Sequence, residues 1–421
     1  MRKNPYGHAV FGILLISLYF GFFSMTHAED EPQPVEDKAQ KTGLRAKFGN
    51  GITYSSPGGA FKTNLNGWMQ VDTAMYNEDK TSLSDGTRIR RGRLSWSAQL
   101  YKDWKVRTEY DFTSRDLDIQ GFQDMYLRYS GIRRTSLSLG NLKEPIGLEW
   151  QTSSKNITFM ERSLPIVALL PSYHMGVAAN THGKNWSFSS GLFGESLSKG
   201  ISGDNGWGST GRFTLSPIHS KDITVHLGVS GGYRERGKAS SNLRFDSRPE
   251  SNVADVRFVD THSIRRVTDY KLLGTEAAVI TGPLSLQAEY LRAFANRNKG
   301  RNDVEFDGWY VMGSWFLTGE SRNYDRKSGS FGRINPKRRF DFDGGLGAWE
   351  LATGYSAIDL NQANVRGGHE QNVTVGLNWY VDTNVKLMGN YVFVSTDGKG
   401  LGRRHLPENP EIFEMRAQVE F

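Results

Sequence analysis

The chain has 421 residues, no cysteine, 12% aromatic residues, 47 glycines and a formal charge of +7. Without thiols, disulfides and thiolate metal sites are excluded, and a mean hydropathy of −0.52 is too polar for a bundle of membrane-spanning helices. Aromatic and glycine richness in a polar chain fits strands with one apolar and one wet face. The positive charge favours anionic partners.

Arg2 and Lys3 precede an apolar run from about Ala9 to Phe23, and Thr26-His27-Ala28 offers a small residue for cleavage. This is the form of a secretory signal peptide, placed at 1–28. An uncleaved anchor is the alternative, but the run is shorter than the ~20 residues a spanning helix needs. Residues 29–60 are read as a periplasmic lead-in. Within them Glu29 to about Lys41 is acidic, contains proline and lacks aromatics, which predicts a flexible segment.

From Phe61 to Phe421 the hydrophobic period is two. Leu94, Trp96, Ala98 and Leu100 alternate with Arg93, Ser95, Ser97 and Gln99. Val106, Thr108, Tyr110 and Phe112 alternate with Lys105, Arg107, Glu109 and Asp111. In the last run Phe413, Met415, Ala417, Val419 and Phe421 share one face, against Glu414, Arg416, Gln418 and Glu420. Sixteen such runs can be counted, many near the ~9 to 11 residues a tilted strand needs to cross a bilayer.

A soluble β-sandwich is the competing reading. Against it, the wet face is ionic along whole strands, and the other face of Trp, Tyr, Phe and Leu is too continuous for a soluble surface. Connection lengths agree with a barrel, because those after even runs are mostly short and those after odd runs mostly long. The expectation is an all-β fold, a sixteen-stranded antiparallel transmembrane β-barrel with an inward-folded third loop, in the bacterial outer membrane.

Two connections stand out. Lys143 to Pro171 follows the fifth run, holds Pro145, Pro165 and Pro171, the polar trio Ser153, Ser154 and Lys155, and the apolar stretch Leu164 to Leu170. A long ordered loop of this composition needs something to bury it, and the barrel interior is that surface. Thr318 to Gly344 follows the twelfth run, where a short turn is due, yet it is long and basic, with Arg322, Arg326, Lys327, Arg333, Lys337, Arg338 and Arg339.

A barrel of this size leaves an aqueous channel, whose selectivity depends on inward charges. Parity points Arg91, Arg93, Lys105 and Arg107 inward. The connection from Arg234 to Arg266 adds Arg234, Arg236, Lys238, Arg244, Arg248, Arg257, Arg265 and Arg266 against five acids. These residues suggest an anion path; ordinary solvated surface charge is the bland alternative.

The tracts Arg90 to Leu94, Tyr101 to Lys105, Gly147 to Lys155, Met160 to Arg162, Ser247 to Glu250 and Leu317 to Arg322 resemble those of the phosphate-selective porin O and P family. The resemblance implies a homotrimer of sixteen-stranded barrels, a third loop in the lumen, an arginine ladder and a periplasmic lysine cluster. It also implies that the loop after the ninth strand and the long periplasmic turn fold into the pore.

Residue by residue, Arg90 and Arg91 match the family's paired arginines, Ser153 and Ser154 its hydroxyls, and Lys105 a lysine of the periplasmic cluster. Trp68, Gln123 and Trp150 stand where phosphate-specific members carry an arginine, an aspartate and a lysine. The expected anion pathway is therefore Arg90, Arg91, Arg93, Lys105, Arg107, Ser153, Ser154, Lys155, Arg244, Arg248 and Arg257. The expected periplasmic basic cluster is Arg322, Arg326, Lys327 and Lys337.

The function expected is passive diffusion of small anions, phosphate or polyphosphate, with outer-membrane lipid around the barrel. No catalytic residue, cofactor, metal or nucleic acid is expected. The Gly228 to Gly232 elbow pattern lies inside a strand, and Gly206, Gly208 and Gly211 lack a strand-turn-helix context. The alternatives are a barrel enzyme of the phospholipase kind, a general porin without phosphate specificity, and a plugged adhesive barrel.

Overall fold

The computed structural model describes residues 43–47, 51–113, 121–195, 206–237, 241–298, 300–402 and 406–421. The signal peptide, the flexible stretch to Lys41 and Lys238 lie outside them. Sixteen strands form the wall: β1 (Phe61–Asn77), β2 (Gly86–Leu100), β3 (Trp104–Asp111), β4 (Phe122–Ile132), β5 (Thr135–Lys143), β6 (Tyr173–His182), β7 (Trp186–Phe193) and β8 (Gly208–His219). They continue as β9 (Ile223–Glu235), β10 (Val267–Thr281), β11 (Leu284–Arg297), β12 (Val304–Phe316), β13 (Ala348–Gln362), β14 (Val365–Tyr380), β15 (Val385–Thr396) and β16 (Glu411–Glu420). Each pairs antiparallel with the next, and β16 returns to β1 from Glu411↔Asn77 to Glu420↔Trp68. The sheet is a closed barrel without a free edge through the hydrocarbon, as lipid requires.

Burial along β16 shows which face is which. Met415 is 46% exposed, while its neighbours Glu414 and Arg416 are 1% and 2% exposed. Apolar side chains outside and ionic ones inside is the reverse of a soluble protein, and it matches a lipid-facing wall around a wet lumen. Two-residue turns such as the one between β4 and β5 gather at one end, which in such barrels is periplasmic.

Strand structure begins before Phe61. Gly43–Lys47 and Gly51–Ser55 form a hairpin, and its second strand pairs with β1 from Ile52↔Leu65 to Ser55↔Lys62. The later part of the lead-in is thus ordered on the wall; β16 ends opposite Trp68, so the start of β1 offers that edge to another strand.

The third loop, L3 (144–172), carries two short helices, α1 (Leu148–Gln151) and α2 (Leu164–Leu169). The chain enters α1 through Gly147 at φ 69°, where a Cβ would lie 2.9 Å from Glu289 Oε2. That close approach lets Glu289 of β11 accept the amides of Leu148 (2.8 Å) and Glu149 (2.6 Å). Leu164, Ile166 and Leu169 of α2 pack in one apolar cluster with Leu291, Phe306, Tyr310, Met312 and Ile358 of β11 to β13. Leu243, Phe245, Val259 and Ile264 of the loop L5 (236–266) complete that cluster.

The long turn T6 (317–347) also enters the lumen. Its Phe331 packs with Tyr324, Leu148, Ala278 and Ile280, and its amide donates to Thr152 Oγ1 of L3 at 3.3 Å. Arg212 of β8 donates to the carbonyls of Ser328 and Gly329. The excess length of this turn is explained by these contacts, through which it supports L3 from the periplasmic side.

Candidate functional site

The bonds of L3 to the wall leave one side of the lumen open. Asn378 of β14 and Lys386 of β15 donate to the carbonyls of Thr158 (2.8 Å) and Ile157 (3.0 Å). Arg416 of β16, buried, bonds both oxygens of Asp72 at 2.7 Å, Glu161 at 2.8 Å and the Met160 carbonyl. Gln70 of β1 reaches the Ser154 carbonyl at 3.4 Å. L3 is therefore fastened to β1, β11 to β13 and β14 to β16, and the space left lies along β2 to β8.

A bulge in β2 shapes the edge of that space. The β1–β2 register shifts between Gln70 and Val71, so Arg90 is an extra residue, and both Arg90 and Arg91 turn toward the lumen. Arg90 makes a two-pronged contact with Glu161 (2.6 and 2.9 Å), and Arg91 lies 3.7 Å from the same carboxylate while donating to Gln70. Burial alone would push the Glu161 carboxyl up, but Arg90, Arg91 and Arg416 hold it well below the usual carboxylate range. The paired arginines thus serve as clamps on L3, and its single carboxylate, which Arg416 shares, offsets only part of their charge.

The other expected cations divide in the same way. Arg93 bonds Glu109 (2.9 Å) and Asp111 (2.8 Å), and Arg107 bonds Glu109 (2.8 Å) and Asp124 (3.0 Å). Lys155 bonds Glu420 at 2.7 Å, and Arg93 and Lys155 stand 5.2 and 5.9 Å from the Trp68 ring. In L5, Arg244 pairs with Asp246 and Asp260, Arg248 with Asp255, and Arg257 with Asp246 and Asp255. Lys105, half-buried, has no ion pair among the described residues, and it faces Arg128 directly across the β3–β4 ladder.

The basic cluster expected in T6 is not one group. Arg322 is buried, stacked 3.5 Å over Phe331 and donating to Gln287, so it pins the turn instead of joining an exposed cluster. Arg326 is half-buried, while Lys327 and Lys337 are exposed.

Three clefts follow one another down the open side. The uppermost, about 50 Å³, lies between L5 and L3 and is lined by Glu161, Arg162, Arg248, Glu250 and Arg257 among others. The middle one, about 220 Å³, is lined by Arg93, Arg107, Lys143 and Arg162 against two acids, Glu109 and Asp124, with Ser153, Ser154, Gln123, Trp150 and Tyr173. The lowest, about 410 Å³, holds Arg128, Lys143, Arg212 and Lys327 against Asp124 alone. Arg162 is shared by the first two, and Asp124, Lys143 and Gln151 by the last two.

Sequence reasoning passed over Lys143 and Arg162, which the fold brings to one ring. Their cations lie 4.6 and 4.8 Å from the centre of Trp150, and the Arg162 guanidinium donates only to the carbonyls of Glu149 and Thr152. Neither is neutralised by a carboxylate contact among the described residues, so Trp150 carries two cations where a lysine was expected to be missing. The signal for Arg162 was its place in the Met160 to Arg162 tract. Asp124 lines the middle cleft beside Gln123, where the β3–β4 register shifts between Thr108 and Tyr110.

A closed lipid-facing barrel whose lumen is narrowed by inserted loops and lined by excess positive charge is an outer-membrane diffusion channel. The family model for phosphate-selective porin O and P matches residues 61–421. The chain belongs to that family and is a bacterial outer-membrane protein. Porin O of Pseudomonas aeruginosa is 28% identical over 393 residues, covering 83% of this chain and 87% of the relative. An uncharacterised protein of Caulobacter vibrioides is 25% identical over 390 residues, 89% of this chain and 76% of its own length. The anion-selective porin from Comamonas acidovorans aligns with a TM-score of 0.52 at 13% identity, over 86% of this chain and 100% of that one. OmpF of Salmonella typhi in complex with daunomycin aligns at 0.54 and 12% identity, over 86% and 98%; both likenesses concern the fold.

Proposed function

We propose that the chain is a passive channel for small anions of the phosphate class, in a homotrimer. The observation that carries the reading is the middle cleft, where four cations face two acids beside Ser153 and Ser154 of L3. A unit charge 4 Å away interacts by about 4 kcal/mol at an effective dielectric of 20, so two uncompensated cations are enough to favour anions over cations. The name of Porin O and the description of the Comamonas porin as anion-selective support it. The trimer form of Vibrio cholerae OmpT, aligned at a TM-score of 0.51 over 86% of this chain and 100% of that one at 11% identity, supports the oligomer.

A general anion channel is the second reading. It is favoured by the ion pairs that neutralise Arg90, Arg93 and Arg107. Purified protein in planar bilayers separates the two. In a potassium chloride gradient the reversal potential should favour chloride, and added phosphate should depress the chloride current. A reversal potential favouring potassium would overturn both readings, whereas chloride preference without phosphate block selects the general channel.

A further inference from the structure

The lowest cleft combines two properties that an inorganic anion does not need together. Arg212 is paired with Glu276 at 2.8 Å, whereas the other three cations make no ion pair among the described residues. Arg128 donates its Nε to the Ser138 hydroxyl and lies 4.6 Å from the Tyr126 ring, with no carboxylate in contact among the described residues. Lys143 rests on Trp150, and Lys327 is exposed at the T6 tip. Like charges set directly opposite across a ladder, as Lys105 and Arg128 are, cost stability, and such a pair persists where something else requires it.

The same cleft has an apolar wall on the lumen side. Tyr126, Leu142 and Phe193 form a buried cluster with Ala178 packed against it, and Tyr126, Leu142, Pro145 and Ala178 line the cleft. The α2 cluster that covers the opposite wall contains none of these residues, so the patch is separate from the seat of L3. These apolar residues give the cleft a mixed lining, and clefts that bind organic solutes combine apolar walls with a few placed polar groups. Water alone gains nothing from the apolar wall.

We infer that the periplasmic half of the passage is a subsite for an organic anion with an apolar body, its carboxylate or phosphate facing Arg128, Lys143 and Lys327 and its body against Tyr126, Leu142 and Ala178. This rests on the channel reading above and names a second solute class for it. A hydrocarbon ring leaving water for that wall gains affinity over a solute of the same charge without one, and Tyr126 already carries a cation on its ring, where an anionic head completes the arrangement.

The test uses the full-length protein in planar bilayers, with chloride current at fixed ionic strength and either benzoate or acetate added from the turn side. Both carry one carboxylate, and only benzoate carries a ring. Benzoate should depress the current at about a tenth of the acetate concentration, a difference of about 1.4 kcal/mol. Leu142→Asn should abolish that difference while leaving phosphate block in place. Arg128→Gln, at a half-buried position with a single hydroxyl partner, should weaken benzoate block several-fold and covers the case in which Leu142→Asn does not fold. Equal potency of benzoate and acetate on wild-type protein overturns the subsite, as does an unchanged benzoate potency in both variants. The reversal potential on the same membranes keeps the two readings apart: chloride preference with equal potencies removes only the subsite, and potassium preference removes the channel reading itself.

Discussion

Glu149, 2% exposed at the start of L3, shows what a single residue contributes. Burial pushes its carboxyl from 4.5 up to about 7, only partly offset by Arg162 and the Ser163 amide. The sign follows from that direction. Below about 4.5 the group is protonated whether the protein is folded or not, and the seat of L3 is at full strength. Between 4.5 and 7 the unfolded chain gives up the proton first, so stability falls, and above 7 there is no further change. Wild-type protein in detergent should lose roughly 3 kcal/mol more than Glu149→Gln on going from pH 4.5 to 7.5, as read by denaturant unfolding. Parallel pH profiles for the two would show that this carboxyl does not govern the seat. None of this was legible beforehand, because Glu149 in the sequence is one acid of a loop, and the contact that seats it comes from Glu289, 140 residues along the chain.

Among the elements, T6 carries the most information for its size. Its length after an even-numbered strand was visible in the sequence as an anomaly, and the fold explains it as the support beneath L3. Replacing Tyr324 to Phe331 with a short Gly-Ser turn removes Phe331 from Leu148, Ala278 and Ile280 and the amide from Thr152. The barrel should still form, since these residues lie outside the wall strands. Chloride conductance should rise and become noisier as L3 loosens, and phosphate block should weaken. Conductance unchanged in the shortened protein would show that T6 neither narrows the passage nor steadies the loop. The β2 bulge is the opposite case: strict alternation cannot place Arg90 and Arg91 on one face, and only the shifted register does so.

At the scale of the whole molecule the seam between β16 and β1 decides whether a barrel exists. Phe421 and Gly67 exchange backbone bonds of 2.9 and 3.3 Å, and a Cβ on Gly67 would lie 2.6 Å from the Phe421 ring and 2.8 Å from the Arg93 carbonyl. A branched side chain therefore cannot enter without moving backbone. Gly67→Val should cut the yield of the closed, heat-resistant species seen by electrophoretic mobility after refolding into detergent. The terminal aromatic itself tolerates change better if its ring merely covers Gly67, so a wild-type yield for Gly67→Val would show that the close contact is not required for closure.

The strand number and the lipid-facing and wet faces were legible in the sequence, because each is a local periodicity, and the connection after β5 stood out as a local excess of length. All sixteen alternating runs coincide with wall strands. Which charges remain free is settled by the fold and not by the sequence pattern. Arg93, Arg107 and Lys155 read as pathway cations, yet each meets a carboxylate supplied by another strand, whereas Lys143 at the end of β5 and Arg162 between the two helices of L3 meet on Trp150. Net charge in a channel is a sum over partners brought together by strand register and loop path, and those partners are distant in the chain.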